Sequence, residues 1–133
     1  EIAVLEGIAQ WMDINSESIF DTRPWTSFGE GPVAESANPI NAQGFNEGKM
    51  KFTAKDIRFN LKGNVLYATL MGVPEEQITI NKLGKSVASK SIKRITLLGS
   101  NEKLRWKQEA DKLIIEKPVK VPNDIALVFK IIY

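Results

Sequence analysis

The sequence predicts a mainly β protein: an antiparallel sandwich of about seven strands, preceded by one amphipathic helix and a long irregular connector. Three observations lead there. From residue 51 onward the apolar residues alternate with a period of two, in short runs separated by turn residues. Pro74, Pro118 and Pro122 fall in the gaps between those runs, where a proline costs no ladder hydrogen bond. After the first segment no second helical pattern appears, so the strands have only one another to pack against.

The leading segment reads as helix because Ile2, Leu5, Ile8, Ala9 and Met12 recur at the three-and-four spacing. Val4 and Trp11 widen that stripe beyond what a surface helix needs, which implies cover on more than one side. Asn15 and Ser16 read as its stop. From Asp21 to about Met50 the period fails, and Gly29, Gly31, Gly44 and Gly48 join Pro24, Pro32 and Pro39. A stretch of this length is either functional or a connector laid over a surface. Trp25, Phe28 and Phe45 favour a packed connector, since disordered linkers are poor in aromatics. The strands then follow as "DIRFNL", "VLYATLMG", "QITINKL", "SIKRITLLG", "KLRWKQ", "DKLIIEK" and "IALVFKIIY", the first two joined by a tight turn at "KGN".

Composition narrows the chemistry. With 43% hydrophobic and 26% charged residues, the 133-residue chain has material for a real core. It contains neither cysteine nor histidine, so thiolate nucleophiles, disulfides and the common zinc sites are excluded. The commonest general base is missing too, and catalysis would rest on carboxylates, Lys, Tyr or Ser. No apolar run reaches the ~20 residues of a membrane-spanning helix. The opening "EIAVLEGIAQWMDI" lacks the basic start of a signal peptide. It begins inside a helix and without Met, which predicts that the chain is a piece of a larger protein.

The net charge of +2 hides an asymmetry. Residues 1–50 carry eight acids and two bases, and residues 51–133 carry sixteen bases and eight acids. The lysines of the basic half are spread along strands rather than clustered. They read as decoration of sheet faces and edges rather than as a nucleic-acid site.

Candidate chemistry is sparse. Glu17, Asp21, Glu30 and Glu35 lie in or near the irregular region, and a close carboxylate pair could serve a glycosidase, but loop acids more often cap or face solvent. "ESANPINAQGFNEG" has oxygens for calcium without the spacing of an EF-hand. "GEGP" lacks the helix and the Gly-Lys-Ser/Thr of a phosphate loop. Trp25 and Trp106 are candidates for stacking on sugar rings, against a plainer reading in which Trp106 packs into the core and Trp25 plugs an interface. Arg23, beside Pro24 and Trp25, reads as the fixing point of a joint. No metal and no cofactor are expected.

One resemblance runs through the chain. "EGIAQWMDINSESIFDTRPW", with Trp11, Asn15, Glu17, Ile19, Thr22, Arg23, Pro24 and Trp25, resembles the last barrel helix and exit segment of the α-L-fucosidases of glycoside hydrolase family 29. "FTAKDIRFNLKGNVLYA" resembles that family's entry into its C-terminal sandwich, and "ITLLGSNEKLRWKQEADKLIIEKP" its later strands. Ser16, Phe20, Asp21 and Lys117 depart from the family's usual Gly, Tyr, Gly and apolar residue.

The resemblance implies a parent enzyme that removes terminal α-L-fucose from glycans with retention, using an Asp nucleophile and an acid/base carboxylate. Both would lie on an upstream (β/α)8-like barrel, so no catalytic residue is assigned here. It implies residues 1–22 as the last barrel helix, 23–51 as connector and 52–133 as the sandwich, with Trp11, Arg23, Pro24 and Trp25 at the joint. The implied partners are the upstream barrel and, through it, fucosylated glycans. The implied location is periplasmic, secreted or lysosomal. Two other functions stay open: an independent carbohydrate-binding module, and an interaction or oligomerisation module that self-associates through the leading helix.

Overall fold

The computed structural model describes residues 2–31, 53–88, 91–122 and 126–133. Helix α1 (Ile2–Asn15) ends in a 3₁₀ turn (Ser16–Ser18) and leads into strand β1 (Arg23–Glu30). Strands β2 (Ile57–Lys62), β3 (Val65–Leu70) and β4 (Ile78–Ile80) follow, then a second 3₁₀ turn (Asn81–Leu83) and the short helix α2 (Lys85–Ala88). Strands β5 (Arg94–Leu97), β6 (Trp106–Gln108), β7 (Leu113–Ile115) and β8 (Leu127–Ile132) complete the chain.

The strands form two antiparallel sheets, one ordered β1-β2-β3-β8-β5 and the other β4-β7-β6. All seven strands expected from the alternation are present. One cluster of buried side chains fills the space between the sheets. Ile57, Phe59, Leu66, Leu70, Ile95, Leu97, Leu127, Phe129 and Ile131 come from the larger sheet, and Ile78, Ile80, Leu113 and Ile115 from the smaller. The period of two puts these on one face and leaves Arg58, Asn60, Tyr67, Thr69 and Lys130 on the other face of the larger sheet. β2 and β3 are joined by the two-residue turn Gly63–Asn64, where Gly63 takes φ 59°.

The structure corrects two expectations. Residues 23–30 are not irregular: they pair with β2 through Arg23↔Leu61, Pro24↔Asn60, Gly29↔Arg58 and Glu30↔Ile57. β1 is the edge of its sheet, which is where a strand tolerates proline. The register shifts between Pro24 and Gly29, so the extra residues bulge out and the alternation is lost from the sequence. The second correction is α2, a single turn too short to display a helical period. Its start is held by the β6–β7 turn, with Lys85 N donating to Glu109 O at 2.9 Å and Ser86 N to Ala110 O at 2.8 Å. The stretch considered for calcium, and Glu35 and Phe45 with it, lie outside the described residues.

Candidate functional site

The outer face of the larger sheet carries α1, and the attachment is built from one cross-strand row. Asn60, Tyr67 and Lys130 are direct partners across β2, β3 and β8. Asn60 Nδ2 donates to the carbonyl of Ser18 at 2.9 Å. The Tyr67 hydroxyl donates to Glu17 Oε2 at 2.7 Å, and Lys130 Nζ pairs with the same oxygen at 3.0 Å. Thus three neighbouring strands grip the turn at the end of α1. The hydrogen bond from Tyr67 and the Lys130 charge hold the Glu17 carboxyl below its ordinary value despite some burial. Burial, reinforced by the adjacent Glu17 carboxylate, pushes the Tyr67 phenol well above its usual range.

In the next row toward the Leu127 end of β8, Val128 lies beside Leu98 and makes an apolar patch on the outer face. Trp11 and Ile14 pack there against Tyr67, Leu98 and Val128, and Trp11 Nε1 donates to the Ala126 carbonyl at 3.0 Å. Asn15, fully buried beneath the helix end, donates from Nδ2 to Trp11 O at 3.1 Å, and its own carbonyl accepts from Ser18 Oγ at 2.7 Å. Val4, Leu5, Ile8, Trp11, Met12 and Asn15 fall on one face of the helix. Among the described residues, that face is covered only at its C-terminal end. Further along it Val4, Leu5 and Ile8 are 63%, 67% and 55% exposed. Ile19 and Phe20 in the following turn are exposed as well.

Of the acids named from the sequence, Glu17 and Glu30 have structural partners. Glu30, almost fully buried, accepts from the backbone of Asn81 at 2.9 Å and of Lys82 at 2.8 Å, tying β1 to the turn after β4. Asp21 is exposed and sits at φ 58°, where the residue usual in the resembled family is glycine. Among the described residues no acidic group of three or more is placed to hold a metal, and no helix is long and apolar enough to cross a membrane.

The aromatic candidates face inward. Trp25 is half-buried and meets Phe59 edge-on, ring centroids 5.0 Å apart and planes at 72°. Trp106 is half-buried against the same core from the opposite sheet. The two rings therefore share no outer sheet face, and among the described aromatics only Phe20 is exposed. A groove of about 1210 Å³ beside Glu30, Lys55, Pro74, Glu75, Gln77 and Thr79 has no aromatic among its described lining residues. Arg23 and Pro24 are exposed beside the turn that ends α1.

The sequence named Trp11, Arg23, Pro24 and Trp25 for a joint and did not point to the Tyr67–Lys130 grip on Glu17. Glu17 and Asn15 stood among the matching residues of the resemblance, and that was the available signal.

Fold and attachment together define an antiparallel β-sandwich domain with a helix pinned across one outer face. The chain belongs to the family of the alpha-L-fucosidase C-terminal domain, whose model matches residues 49–132. Among solved structures it is similar to Thermotoga maritima alpha-fucosidase in complex with a mechanism based inhibitor, at 21% identity and a TM-score of 0.66, over 96% of this chain and 25% of that one. It is also similar to alpha-L-fucosidase isoenzyme 1 from Paenibacillus thiaminolyticus, at 20% identity and a TM-score of 0.58, over 98% of this chain and 26% of that one. At these identities the likeness is one of fold. The chain spans about a quarter of the length of these proteins. No curated protein sequence matches it.

Proposed function

We propose that this chain is the non-catalytic C-terminal accessory domain of a retaining α-L-fucosidase, bracing a catalytic barrel that removes terminal α-L-fucose from glycans. In this reading residues 1–22 are the barrel's last helix, and the brace takes in strand β1 (Arg23–Glu30) as its edge together with residues 52–133, joined to it through residues 31–51. Trp11, Arg23, Pro24 and Trp25 stand at the joint.

One observation carries the proposal: α1 presents an apolar face whose N-terminal half, at Val4, Leu5 and Ile8, is exposed and uncovered by any of the described residues. Contiguous exposed apolar surface is uncommon on monomeric proteins and marks an interface. The similarity to the solved fucosidases takes in 96–98% of this chain and so reaches into α1. A barrel lying against Val4, Leu5 and Ile8 would bury that face.

The test compares this chain with the full-length polypeptide on an aryl α-L-fucoside. Turnover by the full-length protein and none by the 133-residue chain is the expected result; turnover by the purified chain itself would end the proposal. An NMR titration with L-fucose and fucosylated oligosaccharides separates bracing from sugar capture. Localised shifts at Trp25 or Trp106 would make the domain a carbohydrate-binding module instead.

A further inference from the structure

The helix is not the only surface at its end of the sandwich that is shaped for a partner. Followed backward from Glu17, the chain passes from the Asn60–Tyr67–Lys130 row to the Leu98–Val128 row and then beyond the end of the sheet. Val4 lies about 15 Å from Ile14 at the helical rise of ~1.5 Å per residue. The loop at Gly99 meets the helix at Ile14. Gly99, at φ 83°, is so tightly packed that a Cβ there would collide with Ile14 and press on Pro122. Ala126, a few residues on, takes the Trp11 hydrogen bond.

Just before Pro122 the loop does something unusual. Val119 is 87% exposed, the highest value among the large apolar residues described, and Val121 is exposed beside it. The loop is nevertheless held in place. Glu102 Oε1 accepts from Val119 N at 3.0 Å and from Lys120 N at 3.2 Å, and Oε2 accepts from Val119 N at 3.0 Å. Glu102 N in turn donates to Ser100 Oγ at 3.1 Å, in the turn that contains Gly99, and Pro118 is buried. A carboxylate that grips two successive amides fixes the backbone and so aims the valine outward. Lys117 and Lys120 flank it in sequence and Lys103 follows Glu102; among the described residues all three are exposed and without an ion pair, and the one carboxylate within residues 116–122, Glu116, is exposed.

We propose that residues 117–122 form the second half of the docking surface begun by α1, and that their occupant is the domain preceding α1 in the full-length polypeptide. Val119 enters an apolar site on that domain, and Lys117 and Lys120 meet carboxylates at its rim. This rests on the function proposed above. The continuity of the loop with the helix end through Ile14, Gly99 and Pro122 argues for the same occupant on both. So does the length of the matched fucosidases, of which this chain is about a quarter. A small apolar centre fringed by charges is the usual build of such contacts.

Lysine acylation, read by mass spectrometry, tests the proposal on the full-length polypeptide and on the 133-residue chain, with Lys107 on the smaller sheet as reference. Hydrogen exchange of residues 3–10 is followed alongside. The expected result is a several-fold loss of reactivity at Lys117 and Lys120 in the full-length protein, with α1 protected. Val119→Asp should restore that reactivity while leaving the melting temperature of the 133-residue chain unchanged. If α1 is protected but Lys117 and Lys120 react equally in both proteins, or stay protected in Val119→Asp, the loop is not part of the interface and the bracing function stands. If neither α1 nor the loop is protected, both readings fall.

Discussion

Replacing Tyr67 by Phe removes one hydroxyl from the attachment of α1 and leaves the ring, its packing and the backbone in place. The lost bond runs from a buried phenol to a carboxylate at 2.7 Å. Hydrogen bonds to charged groups contribute about 1.5–3 kcal/mol. The Glu17 side chain is 42% exposed and keeps Lys130 at 3.0 Å, so water and the ammonium recover part of the loss. The net cost should be about 1 kcal/mol, or roughly 3–5 °C in melting temperature for a domain of this size. Its pH dependence is distinctive. The Glu17 carboxyl is lowered in the folded protein, so its stabilisation is present above the unfolded carboxylate range and is lost as pH falls through the folded value. Wild type and Tyr67→Phe should therefore differ at pH 7 and converge in acid. Tyr67 is raised, so the unfolded chain ionises first and wild type loses stability above about pH 10. The variant escapes that loss, and the gap should narrow again in alkali. Urea unfolding across pH measures both limbs, and a cycle with Glu17→Gln measures the coupling, expected near 1 kcal/mol. Additive single effects, or a gap that does not change with pH, would refute the assignment of Glu17 as the point where the helix is held.

Three further outcomes are expected. Glu30→Gln leaves one of the two amides that the buried Glu30 carboxylate holds in the Asn81–Leu83 turn without its acceptor, and should cost about 1–2 kcal/mol in urea unfolding, whereas the exposed Glu76→Gln should cost nothing measurable. Asp21→Gly relieves a left-handed backbone at the price of a floppier unfolded chain, and should stabilise by about 0.5 kcal/mol in the same assay. Ile8→Asp should leave the melting temperature of the 133-residue chain unchanged, since Ile8 is exposed, yet abolish the concentration-dependent association expected of the uncovered helix in sedimentation.

The strands of the sandwich were legible because both sheets share one core, and burial on one face imposes the alternation that the sequence displays. β1 was not, for a physical reason: its pairing partners are interrupted by a register shift, and its Pro24 and Gly29 are allowed only because it is an edge strand. α2 was invisible because one turn cannot show a period. At the attachment, Trp11 could be read from its place on the apolar stripe, but its partner carbonyl is 115 residues away. Tyr67 lies 50 residues from Glu17 and alternates as any outward strand residue would, so the sequence carries no local sign that its hydroxyl meets a carboxylate. Long-range polar pairs of this kind are set by strand register, which periodicity alone does not specify.

The half-covered helix also raises a question of its own stability. α1 has 14 residues, with no acid in its first turn and no base in its last, so neither terminus gains from the helix dipole. Helices of that length are marginal in water unless a face is packed. The C-terminal end has such packing through Trp11, Ile14 and the grip on Glu17. Residues 3–10 have none within the described chain beyond partial cover of Gly7. Their helicity therefore depends on propagation from the anchored end or on cover from outside. Under the proposed function a preceding domain would remove that dependence, and the Glu17 grip would then set the angle between that domain and the sandwich. A grip made of a buried phenol, an ammonium and one carboxylate is directional where apolar packing is not, and direction is what a brace must supply.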